Sequence, residues 1–204
     1  MNELLNAVKR GLLTKNPLFV TGILLSPAIF CSTLKQALAA AMVFTIVTVG
    51  TAVIVNVLPL WKLVYTVRII LYTVIAALVY IPALKLSLFV FPSETAVILI
   101  YLQCLVANSL ILERFDKRPF TRIRYKLIFT VSAAIGYDLS LLLFAGVREI
   151  ISYGTFYGNP VGISTPLPAF GAVFGGFILL AFFAALYRQI TKFADNLKAG
   201  LKND

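Results

Sequence analysis

Six apolar stretches fill most of this 204-residue chain, and its basic residues fall almost wholly on one side of them. The stretches are 16–34, 36–61, 69–84, 95–112, 127–147 (broken only by Asp138) and 150–187, whose apolar core is about 166–187. A helix rises about 1.5 Å per residue, so roughly twenty residues cross a hydrocarbon layer about 30 Å thick. If all six cross, the N-terminus, the 62–68 loop, the 113–126 loop and the C-terminus share a side. Those four segments hold fifteen of the eighteen Lys and Arg residues, and the other side holds Lys35, Lys85 and Arg148. Basic residues gather on the cytoplasmic face of membrane proteins. Both termini are therefore expected in the cytoplasm, in a multi-pass protein of the cell membrane. A missed or extra span would scramble the partition.

Composition narrows the class further. Hydrophobic residues make up 60% and charged residues 13%, where a soluble domain carries about a quarter charged residues. The expected architecture is an all-α membrane protein forming one domain over 1–204, with spans at about 17–34, 37–61, 67–90, 94–112, 126–148 and 166–190. Residues 1–15 set Leu4, Leu5, Val8, Leu12 and Leu13 against Asn2, Lys9 and Arg10. That pattern predicts an amphipathic helix lying on the cytoplasmic face. The net charge of +10 is accounted for by topology and an anionic inner leaflet, without a nucleic-acid partner. With no His, His-based catalysis and metal ligation are excluded.

Six spans divide into two sets of three, and an odd number per half makes any internal repeat an inverted one. In such folds, interrupted segments at corresponding places in the two halves point to the functional site. The first span contains Ser26-Pro27, and Pro27 lacks the backbone donor that a continuous helix needs. The fourth carries Gln103, Asn108 and Ser109 in one apolar run. Ser26 and Ser109 stand at matching places. Breaks near Ser26-Pro27 and Asn108-Ser109 would bring two irregular segments together at mid-depth, where irregular backbone survives only inside protein or along a cavity. A plain kink in one helix and interhelical hydrogen bonds from the other are the competing reading. Asp138, mid-span, suits proton or cation handling, or a structural pairing. Arg148 and Glu149 end the fifth span and lead into an aromatic outer loop suited to interfacial anchoring. Gly171 and Gly175 form a GxxxG pattern that allows close helix contact.

Several ordered motifs resemble one family. Asn16-Pro17-Leu18-Phe19-Val20 followed by Gly22-Ile23-Leu24-Leu25-Ser26-Pro27 is similar to the opening NP-x-x-V-x-x-LGLCP of the integral-membrane subunits of Rnf and Nqr complexes. Val106 to Arg114 resembles their TNCIVLGR, Gly146 to Gly158 their GAIRELLGSGTLFG, and Pro168-Ala169-Phe170 their PPGAF. The resemblance runs through about residues 8–192, and the cytoplasmic termini match the E-type Rnf and D-type Nqr subunit. It implies six helices as two inverted three-helix repeats with broken first and fourth helices. It also implies a sister six-helix membrane subunit in inverted orientation, and flavin- or iron–sulfur-bearing partners. The implied role is transmembrane electron transfer coupled to Na+ or H+ translocation.

In the family, a cysteine at each break holds a [2Fe–2S] cluster between the paired subunits. Here Ser26 and Ser109 take those places, and Asn108 keeps its own. A serine hydroxyl is a poor ligand for such clusters, so the chain alone is expected to bind none. Cys31 and Cys104 lie five residues after Ser26 and five before Ser109, displaced in opposite directions. They read as small buried hydrophobes. Two further functions fit the size and charge pattern: the six-helix substrate-binding component of a vitamin or flavin importer, and a structural pseudo-subunit without redox duty.

Overall fold

The computed structural model describes residues 25–58, 64–108, 123–162 and 167–200, with backbone alone at 65, 107–108, 123–126 and 191–200. Its helices are α1 (Leu25–Phe30), α2 (Leu34–Val57), α3 (Tyr65–Val90), α4 (Pro92–Leu102), α5 (Ile123–Tyr153) and α6 (Val173–Gly200). A 3-10 helix, Gln103–Asn108, prolongs α4, and another, Pro168–Gly171, precedes α6. Strands β1 (Thr155–Phe156) and β2 (Asn159–Pro160) pair antiparallel after α5.

Four helices are long and apolar enough to cross a membrane, over 34–57, 66–90, 127–153 and 173–190. The first and fourth apolar stretches behave differently. The first is described only from Leu25, as the six-residue α1. The fourth is the 11-residue α4 and its 3-10 continuation. Six complete crossings are thus not seen among the described residues. The amphipathic segment 1–15, the basic segment 113–122 and Ser109 lie outside them.

Helix α2 is the hub, packing on α5, α3 and α4. Its buried side is rich in alanine, with Ala37, Ala39, Ala40 and Ala41 all inaccessible or nearly so. Small side chains let membrane helices approach closely where lipid offers no hydrophobic drive. Larger groups then fill set places: Phe44 of α2 lies against Tyr137 of α5, ring centroids 4.1 Å apart, and Phe144 meets Phe183 edge-on at 5.6 Å. Outward faces carry apolar stripes at helical spacing: Ile70, Val74, Leu78 and Ile81 on α3, and Phe174, Ile178, Phe182 and Leu186 on α6. Such stripes suit lipid. Helices α3 and α4 are joined by the single residue Phe91. The corner is closed by Pro92 at the start of α4 and by the buried hydroxyl pair Ser87–Thr95 at 2.8 Å.

Two expectations need correction. Helix α5 continues to Tyr153, so Arg148 and Glu149 do not end the fifth span; each is 1% exposed. The glycine pattern 171–175 is not a helix–helix motif either, because Gly171 ends the 3-10 helix and only Gly175 belongs to α6. A Cβ on Gly175 would overlap the backbone of Ala169 and Phe170, so Gly175 permits a tight joint within its own chain. The approach between helices falls to the next residue. A Cβ on Gly176 would lie 3.0 Å from the Ile29 carbonyl of α1 and 3.0 Å from the Arg148 guanidinium carbon.

Candidate functional site

Residues 31–33 turn the chain between α1 and α2, and they carry neither glycine nor proline. A helix end leaves carbonyls without partners, and a helix start leaves amides without partners. Adjacent residues of α5 answer both needs. Arg148 Nη1 donates to the carbonyls of Ile29 and, at 3.1 Å, of Cys31. Its Nε donates to Phe170 at 2.9 Å, and Nη2 to Gly171 and Ala172 at 3.1 and 3.0 Å. The planar fork thereby ties the end of α1 to the joint before α6. No carboxylate pairs with Arg148 among the described residues; carbonyl dipoles stabilise its charge, as at a helix C-terminus.

Glu149 serves the opposite end. Its Oε2 accepts from the Leu34 amide at 2.7 Å, the first residue of α2, while Oε1 accepts from Gly158 N at 2.8 Å and Thr155 Oγ1 at 3.1 Å. A carboxylate at a helix N-terminus is favourable. The Gly158 donor is presented by the two-residue turn Tyr157-Gly158, whose φ values of 57° and 83° are those of a primed hairpin turn. Lys35 Nζ lies 5.2 Å from the centre of the Tyr157 ring. A cavity of about 360 Å³ opens beside it, lined by Thr33, Lys35, Glu94, Glu149, Tyr153, Thr155 and Gly158. The α1–α2 corner, the start of α4 and the hairpin after α5 therefore share one end of the bundle.

The two interrupted segments meet. Helix α1 packs against α4 and the 103–108 helix, and Phe30 stacks on Tyr101 with centroids 3.4 Å apart and planes 8° from parallel. Ser26 and Pro27 lie in the first described turn of α1, and the chain turns at 31–33; the residues before Leu25, and Ser109, lie outside the described residues, so both expected breaks fall at their edges. In the fourth stretch, helical geometry tightens at Gln103, before Asn108 is reached. Ser26 is half-buried on α1, and Asn108 is the last residue of the 3-10 helix.

The cysteines differ. Cys31 is buried at the corner, in electrostatic contact with Arg148 and Tyr137. Cys104 is exposed and lies near Tyr80 of α3. The expectation that both are small buried hydrophobes holds for Cys31 and fails for Cys104, because the 3-10 twist turns Gln103 and Cys104 outward together. No three His, Cys, Asp or Glu side chains gather as a metal site among the described residues. Asp138 sits apart from these segments, on the α2–α5 seam, where its Oδ2 accepts from the Thr45 hydroxyl. Sequence reasoning singled out Asp138 but missed Thr45, Arg148 and Glu149 as site-forming groups. The adjacent opposite charges at the end of an apolar run were the available signal.

A protein-family model described as Rnf-Nqr subunit, membrane protein, matches residues 4–185. A search of curated proteins finds no match.

Proposed function

Because the chain belongs to the Rnf–Nqr membrane subunit family, we propose that it is a membrane subunit of an Rnf/Nqr-like electron-transfer complex that couples redox flow to Na+ or H+ movement. The meeting of α1 with α4 and the 103–108 helix carries this reading. Two short segments joined within an apolar bundle are what an inverted-repeat fold offers as a central site. In this proposal both termini are cytoplasmic and the two three-helix halves are related by inversion. Ser26, Asn108 and Ser109 mark the central site, and the redox centre next to it is held by partner chains. Gln103 and Cys104, exposed in an apolar stretch, face the sister six-helix subunit; a polar amide at membrane depth is stable when another helix covers it.

The test is purification of the tagged chain from its native membrane under mild detergent. The expected result is a complex containing a second six-helix subunit and chains with flavin or iron–sulfur centres. Recovery of the chain alone with a bound vitamin would replace the proposal with a substrate-binding component of an importer. Topology is read separately. A cysteine introduced at Lys117 should react with a membrane-impermeant thiol reagent only in opened cells.

A further inference from the structure

The seam between α2 and α5 holds two carboxylates in unlike circumstances. Glu149 follows Asp138 by eleven residues on α5, and Thr45 follows Leu34 by eleven residues on α2. Eleven residues are close to three helical turns, so each pair lies on one face of its helix, with about 16 Å between its members. The helices run antiparallel, so Glu149 meets Leu34 at one end of the bundle and Asp138 meets Thr45 near mid-depth. Glu149 has three donors shared over both oxygens. Asp138 has one: Oδ2 accepts from Thr45, while Oδ1 is buried with no partner among the described residues.

A bare carboxylate oxygen in an apolar bundle is costly when ionised. Nothing charged stands nearby to offset it among the described residues. Facing Asp138 are the Thr45 hydroxyl from α2 and the phenol of Tyr137 beside it on α5. The charged residues Lys35, Arg148 and Glu149 stand three turns away at the end of the seam. Helix α1 brings only Cys31, at that same end, and α6 places Tyr187 and Arg188 toward its opposite end. A proton removes the cost and turns the bare oxygen into a hydroxyl or carbonyl of a neutral acid. A hard metal cation takes about six oxygens, and one carboxylate with one hydroxyl falls well short of that.

The site is reached from the side of the bundle: Thr45 and Asp138 are each half-buried, while the seam is closed above and below them, by Ala41, Leu141 and Ala145 toward Glu149 and by Thr48, Ala52, Thr130 and Ala134 toward the other end.

We propose that Asp138 and Thr45 form a proton-binding site of this subunit. The coupling use of that proton rests on the electron-transfer reading above; its binding does not. A hydrophobic carbodiimide, which adds to neutral carboxyls within membranes, tests the site in native membranes containing the intact chain. Mass analysis should find the adduct on Asp138 and none on Glu149. Labelling should fall as pH rises, be unchanged by added Na+, and drop to background in Asp138→Asn. The milder Thr45→Val should keep the label but move the pH at which it is lost. Absence of the adduct at every pH, or protection by Na+ at fixed pH, would overturn the proposal. Purification without redox partners would sink the electron-transfer reading while leaving this labelling result standing.

Discussion

The two interrupted segments of this bundle are completed in opposite ways. At the α1–α2 corner the backbone is served from within the chain: Arg148 takes the carbonyls of Ile29 and Cys31, Glu149 takes the Leu34 amide, Thr33 takes the Gln36 amide and Gln36 the Ser32 amide. The side chains of Arg148 and Glu149 are each 1% exposed. At the α4 end the chain tightens into a 3-10 helix, and Gln103 and Cys104 look outward. Both segments share the Phe30–Tyr101 stack, so they touch the same interior and differ in what covers their other faces. A corner closed by its own charges is rigid before assembly. A polar face left open at membrane depth waits for another protein surface. The pair therefore divides labour between a fixed half and an interface half.

The largest effect should come from removing the fork that closes the first corner. Arg148→Met leaves the carbonyls of Ile29, Cys31, Phe170, Gly171 and Ala172 without that donor in an apolar site. Each buried carbonyl left without a donor costs about 1–3 kcal/mol. The expected outcome in detergent is a large fall in unfolding midpoint, or failure to accumulate. Arg148→Lys separates charge from geometry. It keeps the cation but cannot reach both α1 and the joint before α6, and should recover only part of the loss. If the lysine variant matched the native chain, the corner would need charge alone. Glu149→Gln should come next, at about 1–3 kcal/mol, because an amide cannot accept from Leu34 on one side and from Gly158 and Thr155 on the other. Amide hydrogen exchange should then rise at the first turn of α2 and in the Tyr157-Gly158 turn, and not in α4. Protection lost equally in both segments would show that they open as one unit.

The long helices were legible because uninterrupted apolar runs leave the backbone no partner but itself in lipid. The irregularity of the fourth stretch was legible too, from the amides Gln103 and Asn108, which fall in its 3-10 helix. The corner at 31–33 contains no glycine or proline; Thr33 caps α2 by accepting from the Gln36 amide, Gln36 accepts from the Ser32 amide, and Arg148 and Glu149, more than a hundred residues away, complete it. Reading those two as the end of the fifth span followed from treating charge as a boundary. Charge satisfied by helix ends can remain inside one. Asp138 was visible as a lone acid in an apolar run, but Thr45 was not, since the register between antiparallel helices is written in no single segment. The outward turn of Cys104 had the same cause. Displacement from Ser109 said nothing about which way a 3-10 helix would point it.

The smallest expected effect on the chain itself is the sharpest test of the division between the two halves. Gln103→Leu replaces an exposed amide by an apolar group on the open face. Within the isolated chain it breaks no recorded contact, and an exposed substitution of this kind changes stability by less than about 0.5 kcal/mol. In the proposed complex, where the sister subunit would cover this face, the same change removes a hydrogen-bonding group from it. There an unmet partner costs about 1–3 kcal/mol, which is roughly a tenfold to hundredfold loss of association. The measurement is paired: unfolding midpoint of the purified chain, and recovery of the sister subunit with it. An unchanged midpoint with reduced recovery places Gln103 at the interface. Full recovery would show that this face looks at lipid, and the α4 segment would then have to be completed from within the chain, as the first corner is. A thiol reagent that partitions into membranes adds an independent reading on the neighbouring residue. It should modify Cys104 in the isolated chain, leave buried Cys31 untouched, and lose Cys104 on assembly.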